Sequence, residues 1–124
     1  MITPTQWING ELTEKEHGYY IEGEDECVLY HHEQEGIKKS IELLCKKYKF
    51  ESVLELGFGM GWTATEFQKQ GVTRHVILEP NKENYQMALE WKKQFDDSDI
   101  EILNIISWEF ETDEGFDLVY DDRQ

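Results

Sequence analysis

Three glycines on alternate positions, Gly57, Gly59 and Gly61, end the run Ser52-Val53-Leu54-Glu55-Leu56 and are followed by Trp62 and Thr63. Such a turn between a strand and a helix brings backbone N–H groups close to a ligand, because glycine accepts positive φ and carries no Cβ to obstruct the approach. Its size suits a phosphate or a nucleoside. Glu79 stands 18 residues after Gly61, at the end of Arg74-His75-Val76-Ile77-Leu78. An acid at that strand tip accepts both hydroxyls of a ribose. The further glycine, two positions out, that packs a helix over a pyrophosphate is missing here. A nucleoside without phosphates is therefore favoured over a dinucleotide. S-adenosylmethionine is of that type, and its positive sulfonium suits acidic surroundings.

These residues need a scaffold that sets them side by side. Steps of three and four residues through Leu29, Ile37, Ile41, Leu44, Cys45 and Tyr48 predict an amphipathic helix over about 28–48, with Lys38, Lys39, Lys46 and Lys47 off its apolar side. Strand Val53 to Leu56 follows. A short helix from Trp62 to Gln70 is stopped by Gly71, and a second strand from Arg74 to Glu79 is closed by Pro80. Asn81 then caps a helix from Lys82 to Phe95. Ile100 to Ile105 and Phe116 to Tyr120 read as third and fourth strands, separated by a loop with Trp108 and Glu109. This alternation predicts an α/β, Rossmann-like parallel sheet in the order 3-2-1-4. Ligands of such sheets sit beyond the carboxyl ends of the strands. Here those ends carry the glycines, Glu79, Trp108-Glu109 and Asp121-Asp122.

The 124 residues make one domain, with 39% hydrophobic and 13% aromatic residues sufficient for a packed core. Residues 1–27 read as an acidic, irregular arm with one short helix around Leu12 to His17, serving as lid or interface; 28–124 form the core. Trp7, Tyr19 and Tyr20 in that arm need a surface to pack on. With 27 acids against 12 bases the net charge is −15, which repels phosphate backbones and anionic lipid and suits a small cationic substrate. Nucleic acid and membrane are therefore not expected as partners. Cys27 and Cys45 lack the spacing of a metal or redox motif, and no apolar leader or 18-residue apolar run is present, so a reduced, cytoplasmic protein is expected. Adjacent His31 and His32 would point about 100° apart on a helix and cannot share an ion, so no metal site is expected.

The segments Val53-Leu54-Glu55-Leu56-Gly57-Phe58-Gly59-Met60, His75-Val76-Ile77-Leu78-Glu79-Pro80-Asn81, Trp108-Glu109 and Phe116-Asp117-Leu118-Val119-Tyr120-Asp121 together resemble the class I methyltransferases. Within them the chain is similar to the guanidinoacetate methyltransferase and arginine N-methyltransferase-like group, from about Val28 to Asp122. The resemblance implies an S-adenosylmethionine-dependent N-methyltransferase, releasing S-adenosylhomocysteine and acting on a small guanidino or amino compound or an arginine-containing peptide. Gly57, Phe58 and Gly59 would line the methionine and ribose end of the cofactor, within a turn whose binding set extends over Glu55, Met60, Gly61 and Thr63. Glu79, with Pro80 beside it, would bind the ribose, and Trp108 and Glu109 would flank the adenine. Asp121 would face the guanidino group, and Glu33 would supply a second carboxylate, with His32 where the family has Trp.

The family continues past its Tyr-Asp pair into further strands. The resemblance therefore implies a core without its C-terminal strands, and with it a homodimer or a partner chain that completes the sheet. The alternative is a non-catalytic cofactor-binding or interaction module that depends on such a partner.

Overall fold

The computed structural model describes residues 4–25 and 27–122. Its core is a parallel sheet of β4 (Ser52–Leu56), β5 (Arg74–Leu78), β6 (Asp99–Leu103) and β7 (Leu118–Asp121), in the order β6-β5-β4-β7. That is the expected order 3-2-1-4. Between the strands run α3 (Trp62–Lys69) and α4 (Lys82–Lys92), and α2 (Glu33–Lys47) precedes β4. Register is continuous: Val53, Leu54, Glu55 and Leu56 face His75, Val76, Ile77 and Leu78 on one side, and Leu118, Val119, Tyr120 and Asp121 on the other.

Period-two alternation decides what each strand shows to each face. Val53, Ile77, Ile100 and Ile102 point to the helices, where Phe58, Ala64, Phe67, Ala88, Trp91 and Ile41 meet them. Leu54, Val76 and Leu78 point to the other face, which no described helix covers; Ile105, Phe110 and Phe116 of the 104–117 segment pack there instead. Arg74 pins that segment to the sheet. Its Nε and Nη2 donate to the two oxygens of Glu114, both at 2.9 Å, and Nη2 also reaches Glu101 at 2.9 Å. The fork geometry holds the Glu114 carboxyl below its ordinary range.

The helix caps follow from composition. Asn81 has extended φ and ψ, and its Oδ1 accepts from Asn84 N at 2.9 Å, so α4 starts where a side-chain acceptor relieves an orphan donor. At the start of α2 the Glu33 carboxylate accepts from Tyr30 N at 3.2 Å.

The N-terminal part differs from the sequence reading. The helix expected near Leu12 to His17 is absent; α1 covers Pro4–Asn9, and β1 (Leu12–Glu14), β2 (Gly18–Ile21) and β3 (Cys27–Tyr30) form an antiparallel meander. The helix expected from residue 28 begins at Glu33, because Cys27–Tyr30 pair with β2. Its apolar residues Val28 and Leu29, which extend the helical period by coincidence, belong to a cluster with Ile21, Trp7, Leu12, Tyr19, Met60 and Trp62. The meander has an apolar face of its own, and that face rests on the two residues flanking Gly61. Among the described residues no helix is long and apolar enough to cross a membrane.

Phe67 joins α2, α3 and the sheet: it is fully buried, stacks edge-on to Tyr120 at 5.4 Å and to His75 at 6.0 Å. Phe67→Ala is expected to lower the unfolding free energy by about 3–5 kcal/mol, read as a fall in the urea midpoint at unchanged slope.

Candidate functional site

Beyond the carboxyl end of β4 the chain turns through Gly57, Gly59 and Gly61, with φ of 100°, 58° and 81°. Gly61 fixes the turn most tightly. Besides its left-handed φ, a Cβ there would lie 2.6 Å from Cζ of Phe58, so any side chain would displace a ring that anchors the turn. Phe58 itself points down into the core, 2% exposed and edge-on to Trp91 at 5.4 Å. What the turn shows upward is backbone, with Met60 and Trp62 half-buried against the meander.

Glu79 holds that turn. Fully buried, its Oε1 accepts from Phe58 N at 2.9 Å and Gly59 N at 3.1 Å. Its Oε2 accepts from Asn81 N at 2.8 Å and from the indole Nε1 of Trp7 at 3.0 Å. Four donors on one carboxylate fill its capacity as an acceptor. The α1 segment is fastened here a second time, since the Asn81 amide donates to Trp7 O and, at 2.9 Å, to Gly10 O. The strand tip behind is closed by Asn104, whose amide donates to Glu79 O at 2.9 Å and Pro80 O at 3.1 Å.

Beneath the turn lies a second buried group. Glu55 Oε1 is 2.9 Å from His75 Nε2, both residues fully buried, and Gln68 Nε2 is 2.9 Å from His75 Nδ1. Desolvation holds His75 neutral, with its pKa down to about 4. Desolvation, then the charge of Glu79, pushes Glu55 well up. Among the described residues three buried polar atoms around the turn make no hydrogen bond of good geometry, Glu55 Oε2, Thr63 Oγ1 and Asn84 Oδ1, although Thr63 is close enough to Asp122 to favour its carboxylate. Asn84 sits under Gly59, donating to its carbonyl at 2.7 Å. A glycine cradle ringed by unsatisfied oxygens fits a nucleoside ligand that carries hydroxyl and ammonium donors.

The remaining sequence candidates divide. Thr63 lies in the first turn of α3, buried. Pro80 is half-buried beside Glu79. Trp108 is 67% exposed in a 3-10 turn, and Glu109 is exposed beside it; both stand at the β6 end, on the segment that covers the helix-free face. Glu33 is engaged as a cap on Tyr30 N. Asp121 is exposed and shares a strand face with Val119, whereas Asp122 is half-buried. Desolvation, then the charge of Glu55, pushes the Asp122 carboxyl up to about 7. His75, Gln68 and Asn84 were not among the sequence candidates, and Trp7 was expected only as an arm aromatic in need of a surface to pack on. Trp7 and Glu79 are 72 positions apart, and no local pattern signals that contact. Asn84 carries a usable signal, its position three residues after the N-cap.

Known proteins share this fold. A family model described as guanidinoacetate N-methyltransferase matches residues 27–109. No curated protein sequence matches. Among solved structures, the YcgJ protein from Bacillus subtilis is similar at 21% identity and a TM-score of 0.55, over 67% of this chain and 37% of its own. The Pyrococcus abyssi tRNA (uracil-54, C5)-methyltransferase, solved with S-adenosyl-L-homocysteine, is similar at 18% identity and a TM-score of 0.53, over 89% of this chain and 27% of its own. The chain thus spans well under half the length of either. At these identities the likeness establishes the fold, that of the Rossmann-like class I methyltransferases.

Asp122 sets a pH test. Its folded pKa of about 7 lies above the ordinary 3.8, so between those values the folded state holds a proton that the unfolded state has lost, and stability falls as pH rises. His75, depressed from 6.5 to about 4, acts in the opposite sense. Comparing Asp122→Asn with the wild type cancels the histidine contribution. The stability difference is expected to move in favour of the variant as pH rises from about 4 to about 7, read by urea unfolding across that window. Glu79→Gln, which turns one acceptor into a donor facing N–H groups, is expected to cost about 1–3 kcal/mol in the same assay.

Proposed function

The chain belongs to the guanidinoacetate N-methyltransferase family, and from that premise we propose that its glycine turn binds S-adenosylmethionine for methylation of a guanidino or amino nitrogen. The observation that carries this reading is the turn itself: three left-handed glycines over a strand tip, with Glu55 Oε2, Thr63 Oγ1 and Asn84 Oδ1 left without partners around it. The cofactor, when bound, supplies an electrophilic methyl on a sulfonium and leaves as S-adenosylhomocysteine. The protein's part is positioning and charge. Backbone at Gly57, Gly59 and Gly61 admits the ligand, and Thr63 and Asn84 offer it an acceptor each.

Glu79 is the proposed ribose acceptor, with one condition attached. Its Oε2 already takes the Trp7 indole N–H, so a ribose hydroxyl bonds there only by replacing that donor. A guanidinium acceptor, delocalised and with a pKa above about 12, needs carboxylates to orient it and to take its proton. The acids at the β7 tip and Glu33, once released from Tyr30 N, are the proposed groups. The net charge of −15 favours approach of such a cation.

A second reading, a cofactor-binding module completed by another copy or another chain, is favoured by one observation. On the helix-free face a groove of about 520 Å³ runs between Leu54, Leu56, Phe110 and Val119, and Trp108 and Val119 are 67% and 55% exposed there.

Isothermal titration of the full chain with S-adenosylmethionine and S-adenosylhomocysteine tests the proposal, followed by transfer of a labelled methyl to guanidino and amino compounds. Binding with turnover is expected. Binding without turnover selects the module reading, and absence of heat with both nucleosides sinks the methyl-donor site.

A further inference from the structure

We propose that the cavity between α2 and α3 is a second ligand site, one that takes the head group of a zwitterionic α-amino acid with an uncharged side chain. It lies apart from the glycine turn and does not rest on the methyl-donor reading. None of the residues assigned above to the donor or the acceptor lines it.

Helix periodicity builds the walls. Trp62, Thr65, Glu66 and Lys69 recur at helical spacing along α3 and so share one stripe, and Gln34, Glu35 and Lys38 face them from the first turns of α2. Together they enclose about 380 Å³, enough for a small molecule, with His31 and His32 closing the end where β3 passes into α2. The side toward the meander is aromatic and held in place. Trp62 packs against Tyr19 at 6.4 Å between ring centroids, Tyr19 stands edge-on to His31 at 5.1 Å, and His31 Nε2 lies 3.2 Å from Lys15 O and 3.3 Å from Glu14. On the other flank Thr65 Oγ1 accepts from the Trp91 indole at 2.9 Å. Contacts within the protein therefore set the lining.

The floor of the cavity is a buried acid. Glu66 is only 4% exposed, and a carboxylate this deep ordinarily spends its oxygens on hydrogen bonds, as Glu79 does on four donors. Among the described residues Glu66 has instead one charged partner, Lys69 at 3.7 Å, too far for a hydrogen bond. Lys69 is itself 60% exposed, so water competes for its ammonium. The other ionisable neighbour is the Cys45 thiol, a weak donor, which burial and then the charge of Glu66 push up. A buried carboxylate that faces a cavity and is short of donors is matched by a ligand that brings its own N–H groups.

Charge balance selects the ligand class. The acids and lysines of the lining are Glu35 and Glu66 against Lys38 and Lys69, a neutral set within a chain of net charge −15. A plain cation is repelled by the two lysines and a plain anion by the two acids, whereas a zwitterion satisfies both. Its orientation follows from depth. Glu66 is the deep acid, and Lys38 and Lys69 are exposed at the mouth, so the ammonium enters first and the carboxylate stays outermost. The 3.7 Å between Glu66 and Lys69 also sets the spacing of the ligand's charges: an ammonium and a carboxylate on one carbon fit it, and charges at the two ends of a chain do not. Beyond the head group, Trp62, Thr65 and Gln34 offer an uncharged surface, which suits an uncharged side chain laid on the indole.

Ligand-detected NMR titration of the full chain with L-phenylalanine, L-leucine and L-glutamine tests the assignment. At least one is expected to bind with a Kd below about 1 mM. For that amino acid, the N-acetyl derivative loses the ammonium and the amide loses the carboxylate, and each is expected to bind about tenfold more weakly or worse. Glu66→Gln, isosteric and uncharged, is expected to give a loss of the same size. Lys38→Ala is expected to cost about two- to fivefold, as for an exposed ion pair. Lys39→Ala, one residue on and outside the cavity, changes nothing.

Absence of binding by all three amino acids overturns the proposal. Equal affinity for the parent amino acid and its two derivatives does the same, as does wild-type affinity in Glu66→Gln. Displacement by S-adenosylhomocysteine also overturns it, because the probe then occupies the place of the donor's own amino-acid portion. If the wild type does not bind that nucleoside, the methyl-donor reading fails while the amino-acid site still stands or falls on the derivatives and variants. The thermal transition checks the fold of Glu66→Gln; should that variant not fold, Lys38→Ala and the two derivatives decide.

Discussion

A carboxylate that is 0% exposed must find donors inside the protein, and Glu79 finds four. This requirement organises the surrounding structure. Two of the donors are the backbone N–H groups of Phe58 and Gly59, so the glycine turn takes its shape around the acid at the tip of β5. A third belongs to Asn81, which also caps α4, so the helix start and the turn share one anchor. The fourth is the indole of Trp7, which draws the N-terminal helix onto the same spot. Leaving any of these donors unmet would expose the molecule to the desolvation cost of a buried charge, a few kcal/mol at least. The acid is a structural hub before any ligand arrives.

The second buried acid under the turn is held differently. Glu55 has a neutral histidine as its partner instead of backbone N–H groups, and it spends only one oxygen on it. Burial and then the charge of Glu79 penalise its ionised form, and burial and then the charge of Glu55 penalise that of Asp122. Glu79 is thus saturated with donors, whereas Glu55 has one oxygen without a partner among the described residues. The saturated one fixes the geometry of the glycine turn. Such division of labour between neighbouring acids, set by environment and not by residue type, accords with perturbed carboxyls clustering at functional sites.

The two faces of the sheet are treated unequally. Helices α2, α3 and α4 cover one face with Phe67, Ala88 and Trp91, and the other relies on Ile105, Phe110 and Phe116 from an irregular segment clipped to Arg74. Val119 and Trp108 stay exposed beside that cover. The glycine turn is framed by the well-packed side and by the meander, which rests its own apolar face on Met60 and Trp62. The glycine-turn end of the sheet therefore has a packed floor on one side and the meander on the other.

The sequence by itself determined the sheet, its order, the glycine turn and the two acids beneath and beside it, since these depend on local periodicity and on residues adjacent to strand ends. Val53 to Leu56, Arg74 to Leu78 and Asn81 as a cap are legible because period two, a closing proline and a side-chain acceptor are all written within a few positions. Tertiary structure alone decided the rest. Val28 and Leu29 continue a helical period but pair as a strand, because hydrogen bonding to β2 outweighs local propensity. Trp7 reaches Glu79 across 72 positions, a contact that follows from how the meander folds back and from nothing near either residue. Which face of the sheet Asp121 and Asp122 each take likewise lies outside composition. Adjacent acids look equivalent in a sequence, and the pleat of a paired strand sends them to opposite faces.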